Sequence, residues 1–514
     1  MKPLMHLLPL VILLTLVPDE AGGQATNWAE IQVIDAQTGR GVPLVELETV
    51  NSMIFVTDNA GRVAFHEPGL MNRAIFFTVR SHGYEIPKDG FGFAGIRVTP
   101  KAGETSVIKI RRNQLAHRLC RLTGEGLYRD SVLLGHSVPL TGNTNPGLVA
   151  GQDSVQTARL GNQILWLWGD TSRMEYPLGI FRMAGALTPV PDPDRPEQNP
   201  ENGIAFRYFT DPSGFARNMM PLKERPEGVI WINAPCVVKD KAGKDALVAH
   251  YSRRKGLADE LEHGIALFQM GEGVFRVAKE LPLKETWRHP SGHPIAIGKN
   301  GEDWLLFGSP NPNVRVRARL EDIMNPAAYE AFTCLAATSD PSKPSPSLGD
   351  NGAPLWRWQK ELPPCDSAME DRWIKEGRIK PGQSRFCPAD GNRPDERIRL
   401  HSGTVRWNAH RKKWVLLACQ AMGKSSFLGE VWYAESDEPT GPFAKAARVA
   451  THDRQSLYNV NHHEFLDRMG GRIIHFEGTY TNEFSGNPHR TPRYNYNQVL
   501  YRLDLDEGEL LKVR

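Results

Sequence analysis

The chain has almost no surplus of charge. Its 62 Lys and Arg stand against 59 Asp and Glu in 514 residues, a formal net charge of +3. That balance excludes a nucleic-acid binder whose affinity comes from a dominant basic surface. It equally excludes an acidic solvating chain. Cysteine is scarce: six residues, at 120, 236, 334, 365, 387 and 419, with no C-x-x-C pair. Zinc-site and redox-motif chemistry therefore finds no support. Cys365 and Cys387 bracket a polar, proline-rich insertion and are expected to clamp it, whereas Cys236 and Cys419 lie in apolar runs and read as buried thiols. No G-x-S-x-G elbow, P-loop, dinucleotide fingerprint, H-E-x-x-H or EF-hand loop is present, which argues against a serine hydrolase, a kinase or a dehydrogenase. Helical periodicity is rare too, and the best example, Leu320–Thr333, reads as an insertion.

What is present is turn chemistry and aromatic residues. Gly 47, Pro 38, 12 Trp and 12 Tyr suggest many short strands separated by turns. At the start, Lys2 precedes an apolar run from Leu7 to Val17, followed by small residues from Ala21 to Ala25. A basic residue, a short apolar run and a small-residue zone make residues 1–25 an expected signal peptide, with an uncleaved anchor as the alternative. No later apolar stretch is long enough to cross a bilayer. The expectation is a secreted or periplasmic protein with no membrane contact after cleavage.

Residues 26–114 read as a small β-sandwich. Strand-like runs recur at Ile31–Ile34, Val42–Thr49, Ile54–Thr57, Arg62–Phe65, Ala74–Arg80, Gly95–Thr99 and Ser106–Ile110, with turn signals between them. The stretch VIDAQTGRGVPLVELETVNSMIFVTDNAGRVAF, with SHGYEIP after it, resembles the carboxypeptidase-regulatory, prealbumin-like sandwich. That resemblance implies a fold and says little about function; the residues show no acid–base constellation, so a structural or docking module is expected, with carbohydrate binding as the alternative.

Residues 115–514 carry a different texture. A strand, a polar turn and an aromatic-rich second strand recur in DSVQTARLGNQILWLWGDTS, APCVVKDKAGKDALVAHYSR, HPIAIGKNGEDWLLFGSP, SGTVRWNAHRKKWVLLACQ and HHEFLDRMGGRIIHFEGTY. Five variable repeats predict a five-bladed β-propeller. The expected fold is therefore all-β, a small N-terminal β-sandwich followed by the propeller. Inner strands of a propeller begin near its central channel, so the residues before them should converge: Gln152 and Asp153, Asn233, His289 and His293, His401, then Asn461, His462 and His463. Asp170 and Glu477 come with the second strands, and Glu430 opens a further apolar strand.

The segment AGQDSVQTARLGNQILWLWGDTS resembles the opening blade of five-bladed glycoside hydrolase propellers of the arabinanase, fucosidase and β-xylosidase kind. The ending YNVNHHEFLDRMGGRIIHFEGTYTNEFSGNPHRTPRYNYNQVLYRLDL is similar to secreted bacterial propellers linked to D-arabinan cleavage. The resemblance implies a first-blade Asp as base or nucleophile, and Asp153 matches by position. It also implies a second-blade Asp and a third-blade Glu, but Asn233-Ala234-Pro235 and His293 stand there instead. The family's usual triad does not carry over.

Glycosidic cleavage needs one protonated and one ionised carboxyl group, and the candidates are Asp153, Asp170, Glu430 and Glu477. Gln152, His293, His401, His463, Arg406 and Trp168 are the candidate sugar contacts. Each has an ordinary rival role: turn capping for the aspartates, a strand position for the glutamates, core packing for Trp168. A carbohydrate is the expected partner, nucleic acid is not, and no cofactor is expected. The histidines keep a second chemistry open. Three imidazoles on one channel could hold a divalent metal at the propeller centre for a polysaccharide lyase, with Arg288 or Arg406 at the uronate. A non-catalytic carbohydrate-binding propeller is the third alternative.

Overall fold

A computed structural model describes residues 27–140, 145–175, 182–192, 195, 198–299, 301–340 and 342–513. The expected signal peptide, residues 1–25, lies outside the described residues. No helix among the described residues is long and apolar enough to cross a membrane.

Two four-stranded sheets form the N-terminal sandwich. In one, Ala29–Asp35 lies between Arg62–Phe65 and Thr105–Arg112, with Tyr84–Glu85 at the edge; in the other, Glu46–Thr49 and Ile75–Arg80 lie between Ile54–Val56 and Gly95–Val98. Side chains alternate along these strands, so Ile75, Phe77 and Val79 turn inward while Phe76, Thr78 and Arg80 are less covered. Ile31, Val33, Leu47, Phe65, Phe77 and Ile108 fill the space between the sheets. The strand expected over Val42–Thr49 shortens to Glu46–Thr49, because Pro43 has no N–H to give a ladder and Leu44 sits at φ 58°.

Five antiparallel sheets follow as the blades of a propeller. Blade one is Gln156–Leu160, Gln163–Trp168, Ala184–Pro189 and Arg207–Tyr208. Blade two is Val229–Lys239, Asp245–Lys255, Asp259–Gln269 and Val274–Leu281. Blade three is Ile295–Lys299, Glu302–Phe307, Val314–Arg317 and Glu330–Thr333, with Arg357–Gln359 added outside. Blade four is Leu400–Asn408, Lys413–Gln420, Val431–Ser436 and Lys445–Ala450, extended by Ala389–Asp390 and Arg393–Arg397. Blade five is Ser456–His462, Ile473–Thr481 and Asn497–Asp504, and its fourth strand is His117–Arg121, from the beginning of the propeller. The ring is thus closed by pairing its first strand with its last.

The turns explain why four of the five repeats were legible. Leu160 pairs with Gln163 across Gly161-Asn162, with Gly161 at φ 61°, a conformation that favours glycine. Asp240 accepts the Ala242 and Lys244 amides, and Asn408 accepts the Arg411 amide, each side chain closing its own turn. The fifth repeat is displaced. HHEFLD is not a strand: the inner strand is Ser456–His462, and Glu464–Leu466 is a short helical turn. Leu466 and Phe465 pack against Leu119 and Leu500 instead. The helix expected over Leu320–Thr333 is also corrected. Only Leu320–Ile323 is α-helical; Pro326 starts a new turn and Glu330–Thr333 is a strand. The longest described helix is Ser367–Lys375, N-capped by Asp366 accepting the Met369 amide.

Sandwich and propeller share a buried joint. Leu44 and Val56 join a cluster with Val449, Tyr480 and Tyr501. Asn59 donates to the Arg121 carbonyl at 2.9 Å and accepts the Arg121 amide at 2.8 Å. The Arg118 guanidinium donates to the Pro43 and His82 carbonyls.

Candidate active site

The five blades meet over a funnel of about 630 Å³ lined by residues from every one of them. Blade one supplies Asp153, Ser154 and Asp170, blade two Trp231 and Asn233, blade three His293, blade four His401, and blade five Tyr458, Asn459 and Glu483, joined by Tyr496. A local backbone device repeats at the entrances. Ser154 lies at φ 53°, Ala234 at φ 52° and Asn459 at φ 52°. Gly292 lies at φ 96°, where a Cβ would meet the Gly308 carbonyl oxygen at 2.4 Å. Left-handed non-glycine residues are costly and cluster at functional sites. Here the ladders of blades two, four and five also slip, between Asn233 and Cys236, Leu400 and Gly403, and Tyr458 and Asn461. Bulges of this kind re-aim side chains, and these occur where the strands enter the funnel.

Asp153 is the most heavily bonded acid. Its Oδ1 accepts the Asp170 amide at 2.8 Å and its Oδ2 accepts the Tyr458 hydroxyl at 2.8 Å. Burial raises its pKa, and hydrogen bonds from Tyr458, Tyr496 and the Asp170 amide oppose that rise. Asp170 has a single strong donor, Trp231 Nε1, 3.1 Å from Oδ1. Burial, then the neighbouring Asp153 charge, pushes Asp170 up to about 7. Two close carboxyls of this kind titrate in coupled steps. Both carboxyls are raised on balance, and because the Asp153 charge is among the causes that lift Asp170, Asp170 is the later of the two to give up its proton.

Glu483 is the third carboxylate of the funnel, exposed at its rim, and its charge also raises Asp170. It was not among the sequence candidates. The available signal was positional: Glu483 follows the strand ending at Thr481 as Asp170 follows the strand ending at Trp168. Trp231 and Tyr458 were missed as well, whereas Tyr496, read from the sequence as closing the ring or binding a sugar, lines the funnel. Around the rim, Leu257, Phe427 and Phe484 expose 69%, 47% and 48% of their surface. No Lys or Arg is among the described residues lining the funnel.

The other sequence candidates fall into two groups. His293 and His401 line the funnel. Burial lowers both imidazoles, aided at His293 by Arg406 and at His401 by Arg399, so both are neutral hydrogen-bonding groups at neutral pH. Gln152, Arg406, Trp168, His463, Glu430 and Glu477 do not line it. Gln152 is buried beneath, donating to Thr171 and accepting the Tyr208 hydroxyl. Arg406 is buried and donates to the His293 carbonyl. Trp168 is fully buried and stacks on Tyr208. Glu430 is buried with Arg448 3.6 Å away. Glu477 is buried 3.3 Å from His463.

The expected ring of five histidines is not formed. The His289 ring lies tilted against that of His263 with centroids 3.9 Å apart, His462 pairs with Asp467 at 2.9 Å, and His463 faces Glu477. His462 and His463 part because the strand ends between them. Among the described residues no group of three or more His, Cys, Asp or Glu is arranged to hold a metal ion. Arg288 is held by the Pro326 and Lys360 carbonyls. It is not among the residues lining the funnel.

No family model matches the chain, and no curated protein matches it. Solved structures similar to it include a Bacteroides ovatus protein with a provisional hydrolase name, at 12% identity and TM-score 0.43 over 72% of this chain and 88% of that one. A family 117 glycoside hydrolase of Zobellia galactanivorans is similar at 11% identity and TM-score 0.35 over 76% and 91%. An exo-1,5-α-L-arabinanase from a bovine ruminal metagenomic library is similar at 9% identity and TM-score 0.33 over 70% and 96%. With scores this low, the chemistry rests on the side chains themselves.

Proposed function

We propose that the propeller is a glycoside hydrolase acting on an uncharged glycan, with Asp170 as proton donor and Asp153 as base or nucleophile. One observation carries this reading: two carboxyl groups share the funnel with different donor sets, Asp153 accepting the Asp170 amide and the Tyr458 hydroxyl, which oppose the rise that burial causes, and Asp170 accepting Trp231 and raised to about 7. A protonated Asp170 can give its proton to the glycosidic oxygen as the bond to the anomeric carbon breaks. Ionised Asp153 either takes a proton from the attacking water or attacks the carbon itself. Neutral His293 and His401 can bond sugar hydroxyls, and Trp231, Phe427 and Phe484 offer apolar faces for a sugar ring.

The charge of the lining supports an uncharged substrate. A uronate would meet the Asp153 and Glu483 carboxylates beside the Asp170 acid and, among the described lining residues, no cation. That weighs against the lyase alternative, which needs a cation at the acid group. We further propose that the chain is exported and loses residues 1–25. Mass spectrometry of exported protein retaining Met1 would overturn that part.

The test is release of reducing sugars from arabinan, galactan and xylan by the full chain, with Asp153→Asn as control. Proton NMR of the first product gives the anomeric outcome. Binding without turnover on any of these would replace the hydrolase by a lectin-like propeller.

A further inference from the structure

The insertion after blade three contains a pair of thiols that the funnel chemistry does not use. Cys334 follows the strand Glu330–Thr333, and Cys365 returns to it 31 residues later. Their Sγ atoms lie 3.8 Å apart, and the Cys334 amide donates to the Cys365 sulfur at 3.4 Å. Both are buried in a cluster with Phe332, Leu335, Trp373 and Phe386. The partner expected from the sequence, Cys387, is turned away: its thiol donates to the Ser367 carbonyl at 3.1 Å. Cys120, Cys236 and Cys419 sit in other clusters.

We infer that Cys334 and Cys365 form a disulfide when the chain folds in an oxidising compartment, and that this bond fixes the wall of a pocket beside the funnel. Two sulfurs in van der Waals contact need only side-chain rotation to approach the bonded distance of about 2.05 Å. Burial pushes the Cys365 thiol up, but hydrogen bonds from Cys334 and Thr333 outweigh it and hold the group below its ordinary value. Either thiol of the pair, once deprotonated, can open the reaction. When Cys365 does so, it bonds to one sulfur of an oxidant disulfide, a glutathione disulfide or that of a thiol oxidase, and the other sulfur leaves as a thiol. The Cys334 sulfur, giving up its proton, then displaces the remaining oxidant sulfur. The cysteine pair loses two electrons and two protons, and the oxidant becomes two thiols.

The bond would act next to the site. The Cys365 carbonyl accepts Asn313 Nδ2 at 2.8 Å. The next residues, Asp366, Ser367 and Ala368, wall a side pocket of about 240 Å³ that shares Ser309 and His401 with the funnel.

The full chain is refolded in mixed reduced and oxidised glutathione, alkylated and mapped by mass spectrometry. A parallel map is made on chain recovered from a bacterial periplasm. The expected result is one linked peptide pair containing Cys334 and Cys365, with the other four cysteines alkylated. Cys387→Ser should leave that link in place and Cys334→Ser should abolish it. Thermal unfolding with and without dithiothreitol gives a second reading: the wild type should lose several degrees on reduction, and the Cys334→Ser/Cys365→Ser double variant should not respond. Six alkylated cysteines in both preparations, or a link from Cys365 to Cys387, would overturn the proposal.

Discussion

Asp170, half-buried, and Glu477, fully buried, are carboxyl groups associated with the second strands of their blades, yet they occupy different worlds. Asp170 stands two residues past its strand, on the funnel, with Trp231 as donor. Glu477 is in the middle of Ile473–Thr481, opposite Asn461 in the ladder, beside His463. Mid-strand side chains project into the packed space between neighbouring blades, whereas residues past the strand end project into the mouth. In a propeller, distance from the strand end therefore separates an acid available for chemistry from an acid held by the core. Residue type and aromatic neighbours do not.

The most severe way to sharpen that contrast is Asp153→Asn. It keeps the size and several hydrogen bonds but removes the charge, and turnover should fall by roughly 10²–10⁴. Activity per folded molecule, with folding checked by circular dichroism, measures it. Retained turnover would remove Asp153 from the chemistry.

Asp170→Asn should follow, with a loss of roughly 10²-fold on natural glycosides and much less on a nitrophenyl glycoside, whose leaving group needs no proton. The wild-type rate should fall as pH rises through about 7, where Asp170 loses its proton. It should fall again on the acid side as Asp153 gains one. The alkaline limb should vanish in Asp170→Asn. A pH–rate profile of both enzymes decides this.

Trp231→Phe is a smaller perturbation. Its indole N–H stabilises the Asp170 anion, so its loss should move the alkaline limb upward by less than about one pH unit. KM should rise a few-fold if the ring also carries a sugar. A downward shift would contradict the assigned hydrogen bond.

Glu477→Gln should leave turnover per folded molecule nearly unchanged. Its effect should appear in stability, a change of about 1–3 kcal/mol in denaturant unfolding from disturbing a buried polar pair. A loss of activity like that of Asp170→Asn would break the contrast between mouth and floor.

Asp153, Asp170, His293 and His401 could be placed at the mouth from sequence because clear hairpin turns fix where their blades begin and end. Trp231 and Tyr458 were hidden for a physical reason. They stand beside bulges and left-handed positions at Ala234 and Asn459, and Ala at such a position carries no recognisable signature. The displaced fifth blade has a similar cause. Its HHEFLD loop contains Phe465 and Leu466 because they fill a gap between blades, and two buried apolar residues in a loop imitate a strand. The sandwich was easier to read because strict alternation survives in Ile75–Arg80 and Thr105–Arg112. Its docking was not legible, since the Asn59–Arg121 and Arg118–Pro43 bonds join residues far apart in sequence.

The pairing of His117–Arg121 with Asn497–Asp504 has a consequence in time. A ribosome makes the sealing strand first and must finish nearly the whole chain before that strand has a neighbour. Tyr458, Glu483 and Tyr496 also emerge late, so Asp153 waits about 300 residues for the hydroxyl that meets its carboxylate at 2.8 Å, a separation of 305 in the chain. A partly made or C-terminally clipped molecule would hold both blade-one aspartates and no assembled funnel around them. On the proposed reading, activity should therefore appear only once the last blade is in place.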